Sequence, residues 1–144
     1  METMRGDSFD PDCPTRLVLD RIGDKWSVLV VLALSERDHR FTELRDRIGG
    51  VTAKVLTQTL RAMARDGLLT RQVFAEVPPR VEYSLTPLGH SLVAPIMMIS
   101  DWAEEHVSAV MEARDRHDGD GRDGHGQDGR TRDGRATAAA AGRG

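Results

Sequence analysis

At 144 residues the chain is long enough for one folded domain. Its single cysteine excludes an intrachain disulfide, and its longest apolar run, Val28 to Leu34, is too short to cross a bilayer. A formal net charge of −3 excludes a uniformly basic nucleic-acid binder, but the charge is unevenly placed: residues 40–80 carry eight basic and four acidic side chains, against five and eight in 1–39 and none and five in 81–113. A local basic surface of that kind can hold phosphates on an acidic chain. The polar, acidic start has no apolar core of a signal peptide, so the expectation is a soluble, cytoplasmic protein with no membrane partner.

In chain order, residues 1–11 read as a disordered arm and 12–113 as the folded domain. Pro14 suits a first helical position, and Thr15 to Ile22 follows as a short helix ended by Gly23. Asp24 is placed to cap Lys25 to Ser35. There Trp26, Leu29, Val30, Ala33 and Leu34 share one face while Val28, Val31 and Leu32 make the rest apolar, the pattern of a central helix or one between core and partner. Phe41-Thr42 reads as a hydrophobic residue followed by an N-cap for Glu43 to Ile48. Gly49-Gly50 breaks that helix, Thr52 caps Ala53 to Asp66, and Gly67 stops it, which is helix-turn-helix in outline.

After Leu68 the period changes from 3.6 to 2. Leu69 to Phe74 and Val81 to Leu85 read as two strands, with Pro78 and Pro79 confined to the hairpin tip. Thr86-Pro87 opens a long last helix with a stripe of Leu88, Leu92, Ile96, Ile99, Ala103, Val107 and Val110, kinked by Pro95. From Arg114 the composition turns to Asp, Gly, Arg, His and Ala, so 114–144 reads as a disordered tail whose seven arginines are nearly cancelled by six aspartates; His117 and His125 there lack the convergent spacing of a metal site. The fold class is mainly α with a small β-hairpin (α+β).

The helix over 53–66 carries the most specific signal. Val55, Leu56, Leu60, Met63 and Ala64 point one way, while Lys54, Gln58, Arg61 and Arg65 recur at i, i+4, i+7 and i+11 on the other side, with Thr57 beside them. Arginine can bond two acceptors of guanine, glutamine two groups of adenine, and threonine a phosphate or a thymine methyl, so the stripe suits a major groove; the competing view is a solvated face. Arg71 and Arg80 on the hairpin are placed to reach sugar-phosphate or the minor groove, unless Arg80 pairs with Glu76 across the turn. Thr42 and Thr52, at the two helix starts, complete the candidate DNA contacts.

Cys13 precedes a helix start, where unpaired N–H groups favour a thiolate; Asp10, Asp12 and Asp20 oppose one, and the alternative is an inert, partly buried cysteine. A thiol dyad of Cys13 with His90 or His106 is conceivable on residue type alone. No Gly-rich phosphate loop, metal-ligand spacing or nucleophile elbow is present, so neither an enzyme nor a cofactor is expected. The last helix exposes more apolar surface than a small domain needs. Ile96, Ile99, Trp102 and Val107 are therefore candidates for a dimer interface, and Leu17 of the first helix is taken with them.

Cys13-Pro14, Leu19 through Trp26, Arg40 through Leu44, Lys54 through Arg61, Asp66-Gly67-Leu68 and Glu76 through Thr86 together resemble the HxlR-type family of bacterial winged-helix regulators, in order and spacing over about 13–103. The resemblance implies a winged helix-turn-helix with a long C-terminal dimerisation helix, joined mainly through the first and last helices. It implies that 53–66 reads the major groove of double-stranded DNA and that the hairpin is the wing. It further implies a homodimeric, nucleoid-associated transcriptional regulator on an inverted-repeat operator, answering to a small-molecule or oxidant effector. Some members use a cysteine at the position of Cys13 to sense electrophiles, quinones or oxidants. Asp24 stands where the family motif commonly has glycine, as suits a helix cap. The residues after Ala113 lie outside the resemblance. A winged-helix module that binds protein rather than DNA is the alternative, and the Lys54/Gln58/Arg61/Arg65 stripe argues against it.

Overall fold

The computed structural model describes residues 5–123, with side chains as far as Gly121. The first four residues of the arm and residues 124–144 of the tail, His125 among them, lie outside the described residues. The elements are α1 (Thr15–Gly23), α2 (Lys25–Glu36), β1 (His39–Arg40), α3 (Phe41–Ile48), α4 (Ala53–Arg65), β2 (Leu69–Phe74), β3 (Arg80–Leu85), α5 (Pro87–Ser91) and α6 (Val93–Asp123). Two compact units divide the chain, one ending at Trp102 and one beginning at Ala103.

The core of the first unit forms around α2, whose Val30, Val31, Ala33 and Leu34 are all buried, as an all-round apolar helix requires. Leu44 of α3, Leu56, Leu60 and Met63 of α4, and Leu69 and Leu85 of the sheet close around it. Asp24 caps α2 as expected, accepting from the Trp26 N–H and from the Ser27 hydroxyl. The helix-turn-helix geometry rests on glycine: Gly49 and Gly50, at φ 69° and 70°, occupy the left-handed region in the turn between α3 and α4.

A three-stranded antiparallel sheet follows, in the order β1-β3-β2. The hairpin register runs from Leu69 opposite Leu85 to Phe74 opposite Arg80, and β1 adds His39 opposite Tyr83. Two residues carry no readable period, which is why β1 is absent from the sequence reading. The step from α4 into β2 is set by backbone bonds. Gly67 (φ 76°) donates to Ala64 O, Leu68 donates to Met63 O, and Thr86 N–H returns to Leu68 O at 3.1 Å. Gly89 completes the joint, because a Cβ there would stand 2.0 Å from Leu68 O.

Five expectations change. Thr42 is not the cap of α3. It lies inside that helix, which begins at Phe41 behind Arg40, whose N–H is accepted by the Glu43 carboxylate at 3.0 Å. The last helix is not merely kinked but broken at Leu92, between α5 and α6. Pro95 offers no N–H to the Ser91 carbonyl four residues back, and it sits instead in the first turn of α6. Ile96 is 2% exposed and belongs to the core rather than to an exposed stripe. Finally, α6 continues to Asp123, ten residues past Ala113, although these residues have nothing large to bury; an existing helix propagates through local hydrogen bonds without fresh nucleation. Residues 5–11, expected as a disordered arm, fold back in turns: Arg16 donates to the carbonyls of Ser8 and Phe9 at 3.2 and 3.1 Å.

Candidate nucleic-acid interface

α4 begins behind Thr52, whose Oγ1 accepts from Val55 N–H at 3.2 Å and donates to no other described residue. Leu56, Leu60 and Met63 bury one side of the helix, which fixes the direction in which the other side points. On that other side Lys54, Gln58, Arg61 and Arg65 are all exposed. Thr57, half-buried, turns its hydroxyl to Ala53 O at 2.7 Å, so it presents its methyl rather than a donor.

The charges separate into two groups. Arg37 pairs with Glu43 at 2.8 Å, Arg47 with Glu36 at 2.7 Å, and Arg21 with Asp66 at 2.7 Å. The Glu43 and Glu36 carboxyls are both held below the usual carboxylate range. For Glu43 the Arg40 N–H is the leading cause and Arg37 the next, and for Glu36 it is the bond from Arg47. Lys54, Arg61, Arg65 and Arg71 make no ion pair with another described residue, and neither do Arg40 and Arg45, which also stand exposed. The sequence reading did not single out Arg40 and Arg45 as candidates. Their signal was present in the charge count over 40–80, but only the fold shows which of those cations lack a carboxylate.

On the hairpin, Arg80 is not a free tip cation. Its guanidinium lies 4.2 Å from the centre of the Phe74 ring, with Glu76 at 3.5 Å and Glu82 at 3.6 Å. Arg71 is exposed on β2 opposite Tyr83. A cleft of about 430 Å³ between α4 and the hairpin is lined by Thr57, Leu60, Arg61, Ala64, Arg71 and Tyr83. Tyr83 was not singled out in the sequence, since its place beside Arg71 depends on the strand register.

A basic, outward-facing second helix of a helix-turn-helix, followed by a two-stranded wing, is the arrangement of a winged-helix DNA binder. The model for HxlR-like helix-turn-helix proteins matches residues 21–111. The chain belongs to the HxlR-like family. Its relatives include YtfH of Escherichia coli strain K12, an uncharacterized HTH-type transcriptional regulator, 44% identical over 110 residues that cover 76% of this chain and 87% of YtfH. The solved structure of YtfH from Salmonella typhimurium is similar with a TM-score of 0.71 at 41% identity, over 77% of this chain and 99% of that one. The redox regulator HypR in its reduced form is similar with a TM-score of 0.63 at 33% identity, over 69% and 98%. The HxlR-like chain is thus a DNA-binding transcriptional regulator of winged-helix fold and not an enzyme. Among the described residues no helix is long and apolar enough to cross a membrane.

Of the residues expected at a dimer interface, Leu17 is 65% exposed, Ile99 54%, Trp102 58% and Val107 53%. Cys13 is partly exposed ahead of α1. Its Sγ lies 3.1 Å from Thr15 Oγ1 and accepts from Asp7 N–H at 3.4 Å. These bonds, Thr15's hydroxyl first, then its backbone, then the Asp7 N–H, hold the thiol below its ordinary pKa. Among the described residues His90 makes no hydrogen bond with Cys13.

Proposed function

We propose that the protein is a homodimer that binds an inverted-repeat operator, with α4 in the major groove of each half-site and its affinity lowered by oxidants or electrophiles acting on Cys13. The single observation that carries the DNA reading is the exposed face of Lys54, Gln58, Arg61 and Arg65, without an ion pair to another described residue and flanked by the wing. Thr52, at the start of α4, and Arg71 on the wing join it as phosphate contacts; Thr42, exposed on α3, and Arg80, once released from its glutamates, lie nearer the edge of that surface.

Dimerisation is supported by the exposed Leu17, Ile99, Trp102 and Val107 and by an apolar cleft of about 350 Å³ lined by Leu17, Val18, Ile22, Leu68, Leu88 and Leu92. A second copy related by a twofold axis matches a palindromic operator with half-sites about one helical turn, or a multiple, apart. For Cys13, the support is the bonding that favours its thiolate, together with the likeness to HypR, named a redox regulator.

The test has three parts. Genomic fragments retained by the purified protein should share an inverted repeat, and Gln58→Ala should alter preference at one base pair of each half-site. Sedimentation at micromolar concentration should show a dimer without DNA. Diamide should release DNA from the wild type and leave Cys13→Ser bound. Fragments with no common sequence, a stable monomer, or identical responses of the two proteins each remove the corresponding part.

A further inference from the structure

We propose that the cleft between α4 and the hairpin seats one backbone phosphate of the operator, held jointly by Arg61 of the helix and Arg71 of the wing. This rests on the DNA-binding reading above and changes the role of Arg61 within it. Arg61 fixes the position of the duplex, and base reading falls to Lys54 and Gln58.

The strand register supplies the first argument. Side chains two apart share a face of a strand, and directly opposed residues share it across the ladder. Leu69, Arg71 and Val73 of β2 therefore lie on one face with Leu85, Tyr83 and Val81 of β3, and the buried Leu69 and Leu85 make that the face turned toward the core. Arg71 is thus an arginine on the inward face of the wing, at the point where the hairpin runs out beyond the core and overhangs α4. Across the gap stands Arg61, one turn after Thr57.

The second argument is charge. The cleft lining holds two guanidinium groups and no carboxylate, and neither arginine has an ion pair with another described residue. Arg80, on the same hairpin, has two glutamates and an aromatic ring. Two like charges facing one open cleft favour an anion between them, and the forked geometry of arginine suits the paired oxygens of a phosphate. The Thr57 hydroxyl, already donating to Ala53 O, is not a competing donor there, while Tyr83 brings a phenol to the lining.

The third argument is position. With a helix in the major groove and a wing toward the minor groove, what passes between them is the ridge that separates the grooves. That ridge is sugar-phosphate backbone, not a base edge.

The test is ethylation interference with the full chain on a duplex recovered from its own genome. Ethylation removes one phosphate charge at a time. In the wild type, ethylation of one particular phosphate per half-site should block binding. In Arg61→Ala and in Arg71→Ala that same phosphate should become indifferent. Both variants should lose affinity for operator and unrelated duplex by the same factor, about tenfold, with base preference unchanged. The slope of log K against log salt should fall by about 1 per half-site in either variant and no further in the double variant, since each phosphate contributes about 0.9. Tyr83→Phe should give a smaller loss at the same position. All three side chains can be changed without opening the core, and unchanged thermal melting verifies it. Loss of discrimination at one base pair in Arg61→Ala, with the wild-type ethylation pattern kept, would show that Arg61 reads a base and overturn the assignment. Wild-type patterns and slopes in both arginine variants overturn it too. A wild type that retains no duplex overturns the DNA reading itself, a result distinct from either.

Discussion

α4 and α6 dispose of their apolar side chains in opposite ways. α4 buries Leu56, Leu60 and Met63 and turns cations outward. α6 buries Ile96 and leaves Ile99, Trp102, Val107, Val110 and Met111 exposed among the acidic Asp101, Glu104, Glu105 and Glu112. The first helix has its apolar partner within its own chain, so its polar face is free to meet a second molecule of opposite charge. The second leaves large apolar side chains exposed and carries acids that repel a nucleic acid. Hydrophobic residues at helical spacing thus mark a core in one helix and, in our proposal, a subunit interface in the other. Only the fold distinguishes them.

The largest expected effect tests the buried side of α4 against the exposed side of α6. Leu56→Ala should cost about 2–5 kcal/mol of folding stability in denaturant melts, through lost burial and the cavity left behind. Val107→Ala should leave the melt of a dilute sample nearly unchanged and weaken self-association by sedimentation. Equal stability losses at the two sites would erase the contrast. Next comes the outward face. The pair Lys54→Glu and Arg65→Glu should abolish DNA retention at moderate salt with melting unchanged, because each reversal replaces a phosphate attraction by a repulsion. The same reversal is indifferent if α4 binds protein in a charge-independent way.

A smaller effect concerns Cys13. Thr15→Val removes the leading bond that lowers the thiol pKa, so alkylation by iodoacetamide at neutral pH should slow, and the two rates should converge as pH rises past the ordinary thiol range. The smallest concerns α3. The Glu43 carboxyl is depressed in the folded state, so its contribution to stability is present above its unfolded pKa and disappears as pH falls through the folded one. Glu43→Ala should therefore melt slightly lower than the wild type at neutral pH and match it once pH lies below the carboxylate range.

Much of this was legible in the sequence. The two faces of α4 follow from 3.6-residue spacing, and the hairpin from a change to alternation bounded by two prolines. What escaped depended on contacts between distant residues or on backbone competition. Thr42 looked like a cap because of its side chain, but Glu43 reaching back to the Arg40 N–H starts the helix one residue before it. Ile96 looked exposed because helical spacing alone does not show how far along the stripe the core reaches; it reaches Leu92 and Ile96. For Arg80 the sequence offered either a DNA contact or a pair with Glu76; the pair is formed, and Glu82 and the Phe74 ring, which the sequence reading did not weigh, hold the guanidinium as well. The helix beyond Ala113 has no apolar period at all, so nothing in side-chain pattern announced it.

The joint between α4 and β2 separates frame from content. The spacing of helix to wing is set by the Gly67 and Leu68 N–H groups, the return from Thr86 to Leu68 O, and the bare α-carbon of Gly89. These are main-chain features, and the Thr86 hydroxyl adds to them by donating to Gly67 O and accepting from the Gly89 N–H at 3.1 Å. The side chains that face outward from α4 take no part in it. Over evolutionary time such a chain can exchange Lys54, Gln58 or Arg65, and with them its preferred target, one substitution at a time while its geometry is inherited intact.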